Sequence, residues 1–262
     1  MALLLLLDSN YKSLELFLDQ WDISINSTNY LRTVTSAQCF LHGLLGDVDP
    51  SSHDVSVKVR CRKTDTLNAF DKNPEFMMKL VSDVVESAEF QTKDAAAATL
   101  AARLALYLPG LANPGNRAHG GPSGINWIHA TDHFVCRTSH NIQYTCLEPF
   151  DSSMEAEMQE FALPALAHLS WRFRQWYESS PLLSAIAHPP LHEVEMGLKS
   201  VFLLPDSQPR PFTIFSCHDV TILALLYGIG AELVLNDGHT FWPSYATTLA
   251  FELVKVDDRN SE

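Results

Sequence analysis

The sequence predicts an α/β core interrupted by a mainly helical insertion. Three observations carry that prediction. The N-terminal end alternates helix and strand patterns, a β-rich run near the C-terminal end passes directly into a leucine-rich helix, and the long middle is helical in its periodicity. The chain of 262 residues, 46% hydrophobic and 19% charged, is long enough for a large domain or for a core with a sizeable insertion. Its formal charge of −13, from 31 acidic against 18 basic residues, disfavours nucleic acid and anionic membranes as partners. A site for an anionic ligand must therefore be locally positive.

The apolar run from Ala2 to Leu7 is too short for a membrane span or a signal peptide. No basic stretch precedes it and no small-residue cleavage site follows. Leu14, Leu16, Phe17 and Trp21 then share one helical stripe, and residues 22–28, DISINST, alternate as a short strand. Asn26-Ser27-Thr28 has the form of a glycosylation sequon, but it falls in that strand, which argues against modification. Val34, Cys39, Phe40 and Leu44 mark an amphipathic helix closed by Gly43 and Gly46, with Arg32 and Thr33 at its start.

VSVKVR, residues 55–60, reads as one more strand. Helical segments follow: residues 74–90, 93–108 and the stretch from Met158 to Ser180. Between them PGLANPGNRAHGGPSG, residues 109–124, concentrates Pro, Gly and Asn and is loop chemistry. Residues 191–204 are helical by spacing. PFTIFSCHDVTILALLYGIG, residues 211–230, supplies the strand-to-helix junction, and YATTLAFELVKV, residues 245–256, reads as a final strand. The core is thus expected over 1–46 and 191–262 and the helical cap over 47–190, with residues 257–262 a frayed tail. No internal repeat or low-complexity segment is present.

Five cysteines, Cys39, Cys61, Cys136, Cys146 and Cys217, are an odd number with no C-x-x-C spacing, so cysteine usage decides neither compartment nor disulfides. Compartment and oligomeric state stay open.

The chemistry concentrates at His218 and Asp219. In an open α/β sheet, groups at the C-terminal ends of the strands line the ligand crevice, and the first amides of the next helix point into it. His218 can offer an N–H to an anion, and Asp219 can protonate a departing oxygen if its pKa is held up. Arg32, also at a helix start after a strand, supplies the planar fork that phosphate oxygens prefer. The structural alternatives are a helix N-cap for Asp219 and a surface ion pair for Arg32.

His129 and His133, with Asp132 between them, share a helix face as metal ligands do, but no third ligand is evident. His188 and His192 repeat the spacing, with Pro189 and Pro190 expected to break the helix between them. No metal or other cofactor is assigned. Trp171, Phe173, Trp176 and Tyr177 are expected to pack in the core, with Arg172 and Arg174 as their solvated flank.

FSCHDVTILALLYGIGAE, WPSYATTLAFEL and NSTNYLRTVTSAQCFLHGL together resemble the histidine acid phosphatases, the second branch of the histidine phosphatase superfamily. That resemblance implies a three-layer core like that of phosphoglycerate mutase, with an inserted helical cap, and a small phosphorylated substrate. It implies that Arg32 and His218 bind the phosphate and that Asp219 protonates the leaving alcohol, in metal-independent hydrolysis of phosphate monoesters. The departure concerns the nucleophile, a histidine in an Arg-His-Gly-x-Arg-x-Pro motif on the first core strand. The sequence contains no such string. Arg117 to Pro122, RAHGGP, has an extra residue between Arg and His, lacks the second Arg and falls in the cap loop. The chain is accordingly expected to be inactive. Either it lacks an N-terminal strand, and the strands flanking that strand should then be left with unpaired edges, or it is a pseudophosphatase that binds phosphorylated ligands without turnover.

Overall fold

The computed structural model describes residues 21–46, 55–112, 124–143, 151–203, 210–233 and 241–254. The N-terminal apolar run, the helix expected over residues 14–20, Cys146, the RAHGGP string and the C-terminal tail lie outside the described residues.

The fold is mixed α/β. Strand β1 (Trp21–Ser27) lies between β2 (Val57–Val59) and β3 (Arg210–Ser216), and all three run parallel. Period-two alternation places Trp21, Ile23 and Ile25 on one face of β1. The register then sets Ile23 beside Phe212, and Ile25 beside both Ile214 and Val57. Helix α1 (Leu31–Leu45) covers this apolar face through Ala37, Leu41, Leu44 and Leu45. Each of these leucines removed from water contributes about 1.5–3 kcal/mol.

Trp21, expected on a helix, starts β1 instead. The stripe of α1 is also shifted from its expected position: Leu44 is buried, but Cys39 is exposed and Val34 and Phe40 are only partly covered. Thr33, Ala37, Leu41 and Leu44 follow the spacing of one helix face more closely, which is why they turn inward. Gly43 lies within the helix, and Gly46 ends it at φ 56, in the left-handed region that glycine adopts without strain. Ser27 and Thr28 of the sequon are fully buried at the end of the central strand.

Among the described residues β1 is paired on both sides, while β2 and β3 each keep an outer edge without a strand partner. β1 and β3 pair directly along all their residues, from Trp21 beside Arg210 to Ser27 beside Ser216. The expected last strand is a further difference. Residues 247–254 carry no strand, and Ala246 has φ 61, so the chain turns where the extended run was to begin.

The chain divides into two compact units. The first comprises residues 1–72, 186–225 and 247–262, and the second 73–185 and 226–246. The first holds the sheet, α1 and the short α2 (Ala69–Lys72). The second is built from α3 (Pro74–Val85), α4 (Ala88–Ala96), α5 (Ala98–Tyr107), α6 (Trp127–His140) and α7 (Ser152–Glu178). Its helix starts follow capping chemistry. Pro74 opens α3, Ser87 accepts the Phe90 amide, Asn126 accepts the His129 amide, and Asp151 accepts those of Ser153 and Met154.

Trp171, Phe173, Trp176 and Tyr177 are buried, as their spacing predicts. Arg172 is not a solvated flank. Only 2% exposed, it pairs with the fully buried Asp94, which also accepts from His168 Nε2 at 2.9 Å. A buried carboxylate makes that arginine tolerable inside. Arg174 does stay outside, paired with Glu178.

Helix α8 (Ser180–Ser200) continues through Pro189 and Pro190, against expectation. Adjacent prolines concentrate the lost hydrogen bonds at one place, and the apolar side chains of Leu182, Ile186 and Ala187, all buried, anchor the preceding turns. His188 and His192 consequently stack, ring centroids 5.9 Å apart and nearly parallel. Helix α9 (Asp219–Gly228) follows β3 directly.

Candidate functional site

Parallel pairing decides which residues can meet. Ser27 pairs with both Ser216 and Val59, so the segments after β1, β2 and β3 emerge at one sheet edge. The Thr28 amide donates to the Ser216 carbonyl at 3.1 Å, and the Arg60 amide to the Ser27 carbonyl at 2.9 Å, which extends the ladder to the loops themselves. Arg32, Arg62 and His218 lie just beyond.

Arg32 and His218, 186 positions apart in sequence, are in contact: the Arg32 guanidinium is 3.2 Å from His218 Nδ1. A guanidinium only donates, so Nδ1 is the acceptor and the imidazole proton sits on Nε2. Nε2 in turn lies 3.2 Å from the Thr28 hydroxyl, which therefore accepts. Thr28 Oγ1 is 2.8 Å from Thr33 Oγ1, and Thr33 donates toward the Thr28 and Tyr30 carbonyls at 3.0 and 2.9 Å. The whole chain of donors is thus directed from Arg32 inward, with His218 neutral. Burial, and then the neighbouring Arg32 charge, lower the His218 pKa to about 4.

Tyr30 is the platform beneath these groups. The His218 ring meets it edge-on at 4.9 Å and 89°, and the guanidinium carbons of Arg32 and Arg62 lie 4.7 and 4.9 Å from its centroid. The Tyr30 hydroxyl donates to the Asp71 carboxylate, 3.0 and 2.9 Å from its two oxygens. Burial and that carboxylate raise the phenol above its ordinary pKa, so it remains a donor. Arg62 Nε faces the same carboxylate at 3.8 Å. Thr28, Tyr30, Arg62 and Asp71 were not picked out from the sequence. Arg62 had a weaker signal, since it closely follows a strand-like run as His218 does, but no helix starts there.

Asp219 is the first residue of α9, and its Oδ1 accepts the Val220 amide at 2.8 Å. That local contact sets the carboxylate in the first turn of α9, one residue after His218 in the chain. Cys217, on the other side, is no substitute nucleophile: burial pushes its thiol up to about 12, which keeps it protonated at neutral pH. His133 Nε2 accepts from Arg137 Nε at 3.2 Å, an engagement that occupies one imidazole of the His129 and His133 pair. Among the described residues no group of three His, Cys, Asp or Glu side chains is arranged to hold a metal ion.

An arginine and a neutral imidazole thus meet at the C-terminal edge of a parallel sheet, where the ligand crevice of an open α/β protein lies. The chain belongs to the histidine phosphatase superfamily, branch 2, whose family model matches residues 6–262. No curated protein matches it. Membership of that superfamily makes the function phosphatase-type in general.

Proposed function

We propose that this chain binds small phosphate monoesters between Arg32 and His218, at a site laid out for acid-phosphatase chemistry. The contact between those two side chains is the observation that supports the reading most, because each was singled out by a different sequence motif. Arg32 offers a bidentate donor to two phosphoryl oxygens. His218 offers a further N–H once it turns from Thr28 or takes up a proton. Asp219 is the proposed acid for the leaving oxygen, and the inserted helices over residues 47–190 are the proposed seat of substrate choice.

The sequence contains no Arg-His-Gly-x-Arg-x-Pro string to supply the nucleophile, and Cys217 cannot replace it. We infer a phosphoric monoester hydrolase of the acid-phosphatase type, which Asp219 supports because a proton donor to a leaving group is of use only in turnover. Residues 1–262 by themselves are expected to bind without turning over, and the alternative reading is a pseudophosphatase that binds phosphorylated ligands.

Calorimetric titration with inorganic phosphate tests the pocket. Arg32→Ala should weaken binding at least about tenfold, the scale of one lost charge-assisted pair. Undiminished affinity in that variant would sink the assignment. Assay with p-nitrophenyl phosphate separates the two readings: turnover abolished by Asp219→Asn would establish the hydrolase, and none above the uncatalysed rate would leave the binding reading in place.

A further inference from the structure

We propose that Arg62 is a second anion-binding group of this site, and that the ligand is a phosphate monoester with another anionic group a few bonds from the phosphorus. The inference rests on the phosphate pocket proposed above and deepens it.

The two arginines that follow β2 are used in opposite ways. Arg60 is 18% exposed in its side chain and neutralised: both its terminal nitrogens donate to Glu193, at 2.9 and 2.6 Å, Asp65 lies 3.8 Å away, and its guanidinium packs over Phe215 at 5.3 Å. It ties the end of the strand to α8 and has little left for a ligand. Arg62 is 56% exposed in its side chain, and Asp71, the carboxylate that faces it among the described residues, is shared with the Tyr30 hydroxyl.

An exposed arginine is ordinarily a mobile, solvated charge. This one is held from three sides. Its terminal nitrogen donates to the Asn29 carbonyl at 3.3 Å, its Nε faces Asp71, and its guanidinium lies over the Tyr30 ring. A guanidinium has five N–H donors, so these contacts orient the fork without exhausting it. Arg32 lies against the same ring, so two like charges attend one tyrosine, 4.7 and 4.9 Å from its centroid. Holding two cations together costs repulsion, and an anion with two charged groups relieves it where a simple monoester relieves only part. The preorganised pair of forks thus selects for a second phosphate or a carboxylate on the substrate.

The test uses three non-hydrolysable probes with the full chain: propylphosphonate, propane-1,3-diphosphonate and 3-phosphonopropanoate. Their affinities are measured by calorimetry for the wild type, Arg62→Ala and Arg62→Lys. In the wild type, at least one of the doubly anionic probes should bind ten or more times tighter than propylphosphonate. The better one identifies the second group as phosphate or carboxylate. Arg62→Ala should bring that ratio close to one, and Arg62→Lys, which keeps the charge but not the fork, should leave an intermediate ratio. A wild-type ratio near one, or an unchanged ratio in Arg62→Ala, would overturn the proposal while leaving the phosphate pocket standing. Failure of all three probes to bind the wild type would overturn the pocket and this proposal together.

Discussion

Which nitrogen of His218 carries its proton decides what the site can do. With Arg32 donating to Nδ1, protonation of that nitrogen would set two cations face to face, and burial adds to the penalty. The folded-state pKa of about 4 lies below the ordinary 6.5, so between these values the unfolded chain binds the extra proton. Stability from this group is therefore fully present above pH 6.5 and is lost as pH falls toward 4. Urea unfolding across that window should show a steeper fall for the wild type than for His218→Asn, and equal slopes would mean that His218 does not titrate there. The buried group Asp94, His168 and Arg172 gives a residue-scale prediction in the helical unit. Burial pushes the Asp94 carboxyl up, but His168 and Arg172 hold it net below its ordinary range. Asp94→Ala would leave Arg172 buried without its counter-charge, at a cost of about 3–5 kcal/mol by chemical denaturation.

Among the elements, helices α7 and α8 both run through prolines, and α7 gives the clearer test. Pro164, exposed inside it, removes a backbone donor and crowds the carbonyl of Glu160. The helix persists because the buried Met158 and Phe161 before the proline, and Ala165 and Leu169 after it, anchor both halves. Pro164→Ala should therefore stabilise the protein by about 1–3 kcal/mol, read as a higher urea midpoint with an unchanged slope. A loss of stability would show instead that the proline ring is part of the packing. The proline pair in α8 illustrates the limit of local rules in the same way. The prolines predicted a break and packing overrode it, so that the stacking of His188 on His192 was hidden from the sequence.

For the molecule as a whole, chain order and spatial unit do not coincide. Residues 226–246 return to the helical unit after the core strand β3, and there Trp242 meets Phe173 edge-on at 5.3 Å and Tyr227 lies 5.4 Å from Tyr177. Trp242→Ala, at a partly buried position, is expected to cost about 2–4 kcal/mol, toward the lower side of buried aromatic truncations. An unchanged thermal midpoint would mean that the returning segment contributes no packing.

What the sequence determined by itself is whatever depends on near neighbours. Alternation in residues 22–28, the β-rich run from Phe212 to Cys217, the helical spacing of Trp171, Phe173 and Trp176, and the motifs around Arg32 and His218 were all legible. So was membership of an α/β phosphatase family, because period and motif are local properties of the chain. The tertiary structure alone decided which strands pair, which face of α1 turns inward, that Arg172 is buried on Asp94, and that residues 247–254 carry no strand. It also decided that Arg62 stands over the same ring as Arg32. These outcomes turn on contacts between residues tens to hundreds of positions apart. A parallel register creates such contacts at the strand ends, and no window of sequence contains them.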